Sequence, residues 1–119
     1  MKGVYYLEIQ LNKNTLIKVG KLGELNFKKG IYYYVGSGMN NVIKRINRHK
    51  SDNKKSHWHI DYFLLNKNTK IINYKILLTN VKKNECLLAN FISTKLKSIN
   101  KFGSSDCKCS SHLFYKIMK

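Results

Sequence analysis

Apolar and polar residues alternate with turn residues in a way that divides the chain into short segments. "GVYYLEIQL" (3–11) is rich in strand formers, "NKN" (12–14) is a turn, and "TLIKV" (15–19) reads as the returning strand. "GKLGELNFKKG" (20–30) has glycines at both ends and reads as a loop holding a short strand. "IYYYVG" (31–36) is the strongest strand, ended by Gly36 and Gly38. "NNVIKRINRHK" (40–50) reads as a helix with an Asn cap. Val42, Arg45, Ile46 and His49 form its inward stripe, while Lys44, Asn47 and Arg48 lie elsewhere and read as solvated. "HWHIDYFLL" (57–65) fits helix or strand, and "KIINYKILLT" (70–79) reads as a strand. Residues 80–100 read as one helix with a core stripe of Leu88, Ile92, Leu96 and Ile99, and Glu85 lies on that stripe. "FGSSDCKCSS" is a Gly-Ser loop before a last strand, "HLFYKI" (112–117). The order β-β-β-α-β-α-β predicts an α+β fold, with a small, mainly antiparallel sheet flanked by helices. A length of 119 residues suits one domain, 1–119, with one modest core.

Charge changes the picture from a generic small domain to one that attracts polyanions. Twenty-three Lys and Arg stand against six Asp and Glu, a formal net charge of +17. A surface of that sign favours nucleic acid. Lysine and asparagine are abundant everywhere in the chain, so a compositional bias inflates the count. No apolar run is long enough to span a membrane, no signal peptide is evident and no free basic amphipathic helix stands out, so no membrane partner is expected. Three cysteines, an odd number, fit a reducing, cytoplasmic setting.

Several residues then stand out chemically. Glu85 is an acid beside a helix's core stripe, where a carboxylate is costly unless paired or bound to metal. That makes it a Mg²⁺ ligand candidate, against the plainer reading of a first-turn glutamate favoured by the helix dipole. Arg45 and His49 are i and i+4 neighbours. An arginine grips phosphate and a histidine relays protons near neutral pH, although both also suit an ordinary basic face. Strand parity sends Tyr32 and Tyr34 one way and Tyr33 the other, and it separates Tyr5 from Tyr6. Tyrosines in strands are mostly packing, but one beside a metal and cations has its pKa lowered enough to act as a base. His57, His59 and Asp61, and Cys107, Cys109 and His112, resemble metal-ligand spacing without matching a common zinc pattern, so a structural zinc site is not expected. His57 or His59 on a phosphate is the preferred reading. "VGSGMNN" lacks the P-loop pattern, which argues against nucleoside-triphosphate chemistry.

Taken together, these pieces resemble the GIY-YIG nuclease family. Gly3-Val4-Tyr5 corresponds to its first motif and Tyr34-Val35-Gly36 to its second, each with valine in place of isoleucine. Arg45 and His49 correspond to its Arg-x-x-x-His helix, and Glu85 to its metal glutamate. "GIYYYVGSG", "RINRH", "KKSHWHIDYFLL", "NEC" and "GSSDCKCSSHLFY" are similar to a small, mostly archaeal branch catalogued as a domain of unknown function, fused in some relatives to an endonuclease III-type repair enzyme. The segment between the motifs is longer than in the smallest members, so an extra hairpin is expected around residues 15–27. The family's late asparagine has no clear match; Asn100, Ser104 and Ser105 are the candidates.

The resemblance implies hydrolysis of a DNA phosphodiester with one divalent metal, Mg²⁺ or Mn²⁺, leaving a 5′-phosphate and a 3′-hydroxyl. Glu85 would be the metal ligand, Arg45 would stabilise the transition state, and Tyr5 or Tyr34 would deprotonate water with help from His49. Lys44, Arg48, Lys54, Lys55, His57 and His59 are the expected backbone contacts to single-stranded, branched or duplex DNA. The competing expectations are a non-catalytic nucleic-acid-binding module and a ribonuclease. A lone small nuclease has little surface for specificity, so a homodimer is a further expectation.

Overall fold

The structure, a computed structural model, describes residues 2–51, 58–80, 83–99, 102 and 111–116. Its centre is a pair of nine-residue strands, β1 (Gly3–Leu11) and β4 (Gly30–Gly38), aligned antiparallel along their full length. Strand β5 (Thr69–Leu78) pairs with the free side of β1, β7 (Leu113–Lys116) with β4, and the two-residue β6 (Lys97–Ser98) with β7. The result is a five-stranded antiparallel sheet of order β5-β1-β4-β7-β6. Strands β2 (Thr15–Lys18) and β3 (Glu24–Phe27) form a separate hairpin, the one expected around residues 15–27, so β2 does not return along β1 as its place after the 12–14 turn suggests.

Strand parity sorts the core into two layers. On one face, Tyr5, Leu7, Ile9, Leu11, Tyr32, Tyr34 and Leu113 are buried. They meet Val42 and Ile46 of α1 (Val42–Lys50), Ile60 and Phe63 of α2 (His59–Leu64), and Ile17 and Phe27 of the hairpin. An aromatic knot seals this layer, with Phe27 and Phe63 ring centroids 4.9 Å apart and Tyr32 and Phe63 5.1 Å apart. On the other face, Val35 and Phe114 are covered by Ala89 of α3 (Lys83–Ser93), with Tyr6, Leu88, Ile92 and Leu96 around them. The α+β class with an antiparallel sheet is therefore observed.

Two expectations change. The long helix expected over 80–100 is α3 only as far as Ser93. The hydroxyls of Ser93 and Thr94 donate to the carbonyls of Asn90 and Phe91, and the chain then turns into β6. Pairing of β6 with β7 holds the following residues out of the helix. Ile99 consequently packs in the opposite layer from Leu88, Ile92 and Leu96. The ambiguous segment 57–65 contributes α2, where Trp58 donates its backbone N–H to Asp61 at 2.9 Å and closes the first turn.

Candidate active site

The register of β1 and β4 sets the site. Tyr5 faces Gly36 across the pair and Leu7 faces Tyr34, so both tyrosines project from one face as diagonal neighbours. A Cβ at position 36 would lie 2.5 Å from Cζ of Tyr5. Only glycine lets the Tyr5 ring lie across β4. A Cβ at position 38 would likewise lie 2.7 Å from Cα of Val42, so Gly38 lets α1 start hard against the strand end. Asn41 caps that helix, its side chain accepting from the Lys44 N–H at 3.1 Å. With its start fixed, α1 carries His49 over the tyrosines: Tyr5 Oη and His49 Nε2 are 2.6 Å apart. The Tyr34 ring stands edge-on to the same imidazole at 5.9 Å.

Ser37 joins the two sides of the sheet. Its carbonyl accepts from Nη1 of Arg45 at 2.6 Å, and its hydroxyl donates to Oε2 of Glu85 at 2.9 Å. Glu85 comes from the first turn of α3 on the opposite face, where the helix's amino end favours a negative charge. Its other oxygen, Oε1, is 3.2 Å from Nδ1 of His112, just ahead of β7. Ser37 holds one carboxylate oxygen and His112 lies beside the other, while 15% of the Glu85 side-chain surface stays open.

A cation stack braces the arginines. Arg45 lies 4.5 Å and Arg48 4.4 Å from the Trp58 ring centroid, distances at which a guanidinium is attracted to the aromatic face. Arg48 also forms a two-pronged pair with the fully buried Asp61, at 2.8 and 3.0 Å. Arg48, expected to be solvated, is thus bound into the α1–α2 junction. The helical stripe chosen from apolar neighbours left it out, because its partner lies on another helix.

Burial raises the Tyr5 pKa well above the ordinary tyrosine value; Tyr34 and Glu85 push the same way, and Arg45 opposes them. At neutral pH Tyr5 therefore keeps its proton, and its hydroxyl shares a hydrogen bond with Nε2 of His49. These influences also show that Tyr34, Arg45 and Glu85 all lie within electrostatic reach of the Tyr5 hydroxyl. His59 lies 5.6 Å from Phe102, and desolvation lowers its pKa, so it adds no positive charge at neutral pH. Lys44 is exposed on the outer side of α1. Lys54, Lys55, His57, Asn100, Ser104, Ser105, Cys107 and Cys109 lie outside the described residues.

The donor set suits a hard divalent cation. Mg²⁺ is ordinarily held by about one or two carboxylates and keeps several waters and substrate oxygens. Glu85 is one such carboxylate, partly open and oriented by Ser37 and His112. Among the described residues no group of three or more His, Cys, Asp and Glu side chains forms a closed metal cage.

Ser37, Trp58, Asp61 and His112 are the members that sequence reading missed in these positions. In the sequence Asp61 and His112 stand out only through zinc-like spacings, and Ser37 only through its place between two glycines. Comparison with curated proteins and with solved structures gives no match. A family described as domain of unknown function DUF123 matches residues 4–119, nearly the whole chain, and the chain belongs to that family.

Proposed function

We infer that this protein is a metal-dependent nuclease of the GIY-YIG type that hydrolyses DNA phosphodiester bonds. One observation carries the reading: Tyr5, Arg45, His49 and Glu85, from β1, α1 and α3, converge on the end of β4, around Gly36 and Ser37. A structural role alone does not require a tyrosine–histidine hydrogen bond, an arginine and a partly open carboxylate at one strand end.

Each residue then has a task. Glu85 would hold Mg²⁺ or Mn²⁺, whose charge, when bound, offsets that developing on the scissile phosphate. Tyr5 takes a proton from the attacking water as its own proton passes to Nε2 of His49, 2.6 Å away. The relay answers the raised Tyr5 pKa, since the phenolate never has to exist free. Arg45, anchored by the Ser37 carbonyl and Trp58, faces the negative pentacoordinate phosphorus. The P–O3′ bond breaks, and the 3′-oxygen leaves and is protonated by solvent. Tyr34 packs on His49 and keeps the imidazole facing Tyr5.

End-labelled single-stranded, duplex and flapped DNA, beside a matching single-stranded RNA and incubated with Mg²⁺, tests the reading. The wild type is expected to cut, and both Glu85→Ala and EDTA to abolish cutting. Binding of every DNA without cleavage would leave a nucleic-acid-binding module, and cleavage of RNA alone would make it a ribonuclease.

A further inference from the structure

The second face of the sheet holds a pocket outside the cluster around Tyr5. Its volume is about 320 Å³, near the lower bound for ligand sites, about 300 Å³. Tyr6 and Tyr33 form its floor, Leu88 and Phe91 of α3 one wall, and Lys95 and Lys116 its rim. The tyrosine rings meet edge to face at 5.8 Å. Tyr33 is pinned by its hydroxyl, which donates to Glu8 at 2.9 Å. Phe91 is 62% exposed, and Lys95 Nζ lies 6.0 Å from its ring.

An apolar floor, an open aromatic wall and a rim of ammonium groups describe a flat, apolar ligand that carries negative charge beside it. Single-strand binding sites combine these elements, with bases on aromatic faces and phosphates on cations. A second copy of the chain fits poorly, since each carries a net charge of +17 and the rim adds lysines from both sides. Position favours nucleic acid as well. Phe91 lies six residues along α3 from Glu85, an axial rise of about 9 Å with the side chains about 120° apart around the helix. That rise is between two and three steps of a stacked strand at about 3.4 Å each.

We propose that this pocket receives a nucleobase of the strand leading away from Glu85, with adjoining phosphates on Lys95 and Lys116. The strand's path rests on the nuclease reading, whereas occupancy of the pocket does not. The site would favour substrates with an unpaired segment, because a paired and stacked base cannot enter it.

Fluorescence anisotropy with a short labelled single strand, in EDTA so that nothing is cut, tests it. Phe91→Ala is expected to bind about tenfold more weakly, the scale of losing one stacked base. Lys95→Gln is expected to lower the salt dependence by about 0.7 in log–log slope, one single-strand phosphate contact. Circular dichroism melts of both variants check that these surface changes leave the fold intact. Equal binding by wild type and Phe91→Ala, or no binding by wild type, would overturn the proposal. So would a wild-type dimer in light scattering that Phe91→Ala dissolves, since the occupant would then be a second copy. The two readings separate cleanly. A wild type that cuts DNA while Phe91→Ala binds normally keeps the nuclease and removes the pocket. A wild type that cuts nothing while Phe91→Ala loses tenfold keeps the pocket and removes the nuclease.

Discussion

Tyr5 is the residue on which the site turns, and glycine is what gives it room. Replacing Gly36 with alanine puts a methyl group into the Tyr5 ring, which lies between β4 and α1 and has little freedom to yield. Overpacking of this kind costs about 1–3 kcal/mol. Gly36→Ala is therefore expected to lower the unfolding free energy measured in urea by that amount and to lose most cleavage as the hydroxyl moves off His49. A variant as active and as stable as wild type would show that Tyr5 has another place to go. Part of this arrangement was legible: strand parity puts Tyr5 and Tyr34 on one face and i, i+4 spacing pairs Arg45 with His49, while grouping them with Glu85 rests on the resemblance to GIY-YIG nucleases. Ser37 and His112 were not. Their importance lies in whom they touch, across the sheet and at the far end of the chain, and no local spacing encodes that.

At the scale of elements, the junction of α1 and α2 shows how a binding surface and a structural brace share residues. Arg48 pairs with Asp61, Asp61 accepts the Trp58 N–H, and Trp58 supports Arg45. Truncating Arg48 removes two hydrogen bonds and a cation from a fully buried carboxylate; breaking a buried pair costs about 3–5 kcal/mol, and the partial exposure of Arg48 puts the change at the lower end, about 3 kcal/mol. Arg48→Ala should thus be strongly destabilised in urea, well beyond a surface lysine such as Lys44→Ala. Equal effects of the two would mean that Asp61 is solvated in solution. Strands β1, β4 and β5 and helix α1 were visible as runs of strand formers and a capped stripe. The end of α3 was not, because Thr94, Lys95 and Leu96 are acceptable in a helix; β7 captures the following residues into β6. Tertiary pairing overrode local preference there.

Across the whole molecule, charge gives a salt signature in binding and buried phenols give a pH signature in stability. A net charge of +17 predicts DNA binding that weakens steeply with salt. With about six phosphate contacts the loss is about 10³-fold between about 50 and 200 mM. An affinity that ignores salt would contradict a backbone-led grip. Stability should respond to alkali. The folded state holds the Tyr5 proton well above the ordinary value of 10.0, and desolvation with the Glu8 hydrogen bond pushes Tyr33 up to about 12. The unfolded chain releases these protons first, so their contribution is complete below about pH 10 and is lost as pH rises beyond it. Urea midpoints should fall from pH 9 to pH 11, and fall less in Tyr5→Phe; identical slopes would refute the buried-phenol explanation. The central claim is that Tyr5 and His49 act as one proton relay, and single-turnover cleavage by Tyr5→Phe, His49→Gln and the double variant tests it most directly. Each single variant should lose about 10²-fold or more, and the double variant should be no worse than the poorer single. Losses that multiply, or a Tyr5→Phe enzyme as fast as wild type, would contradict it.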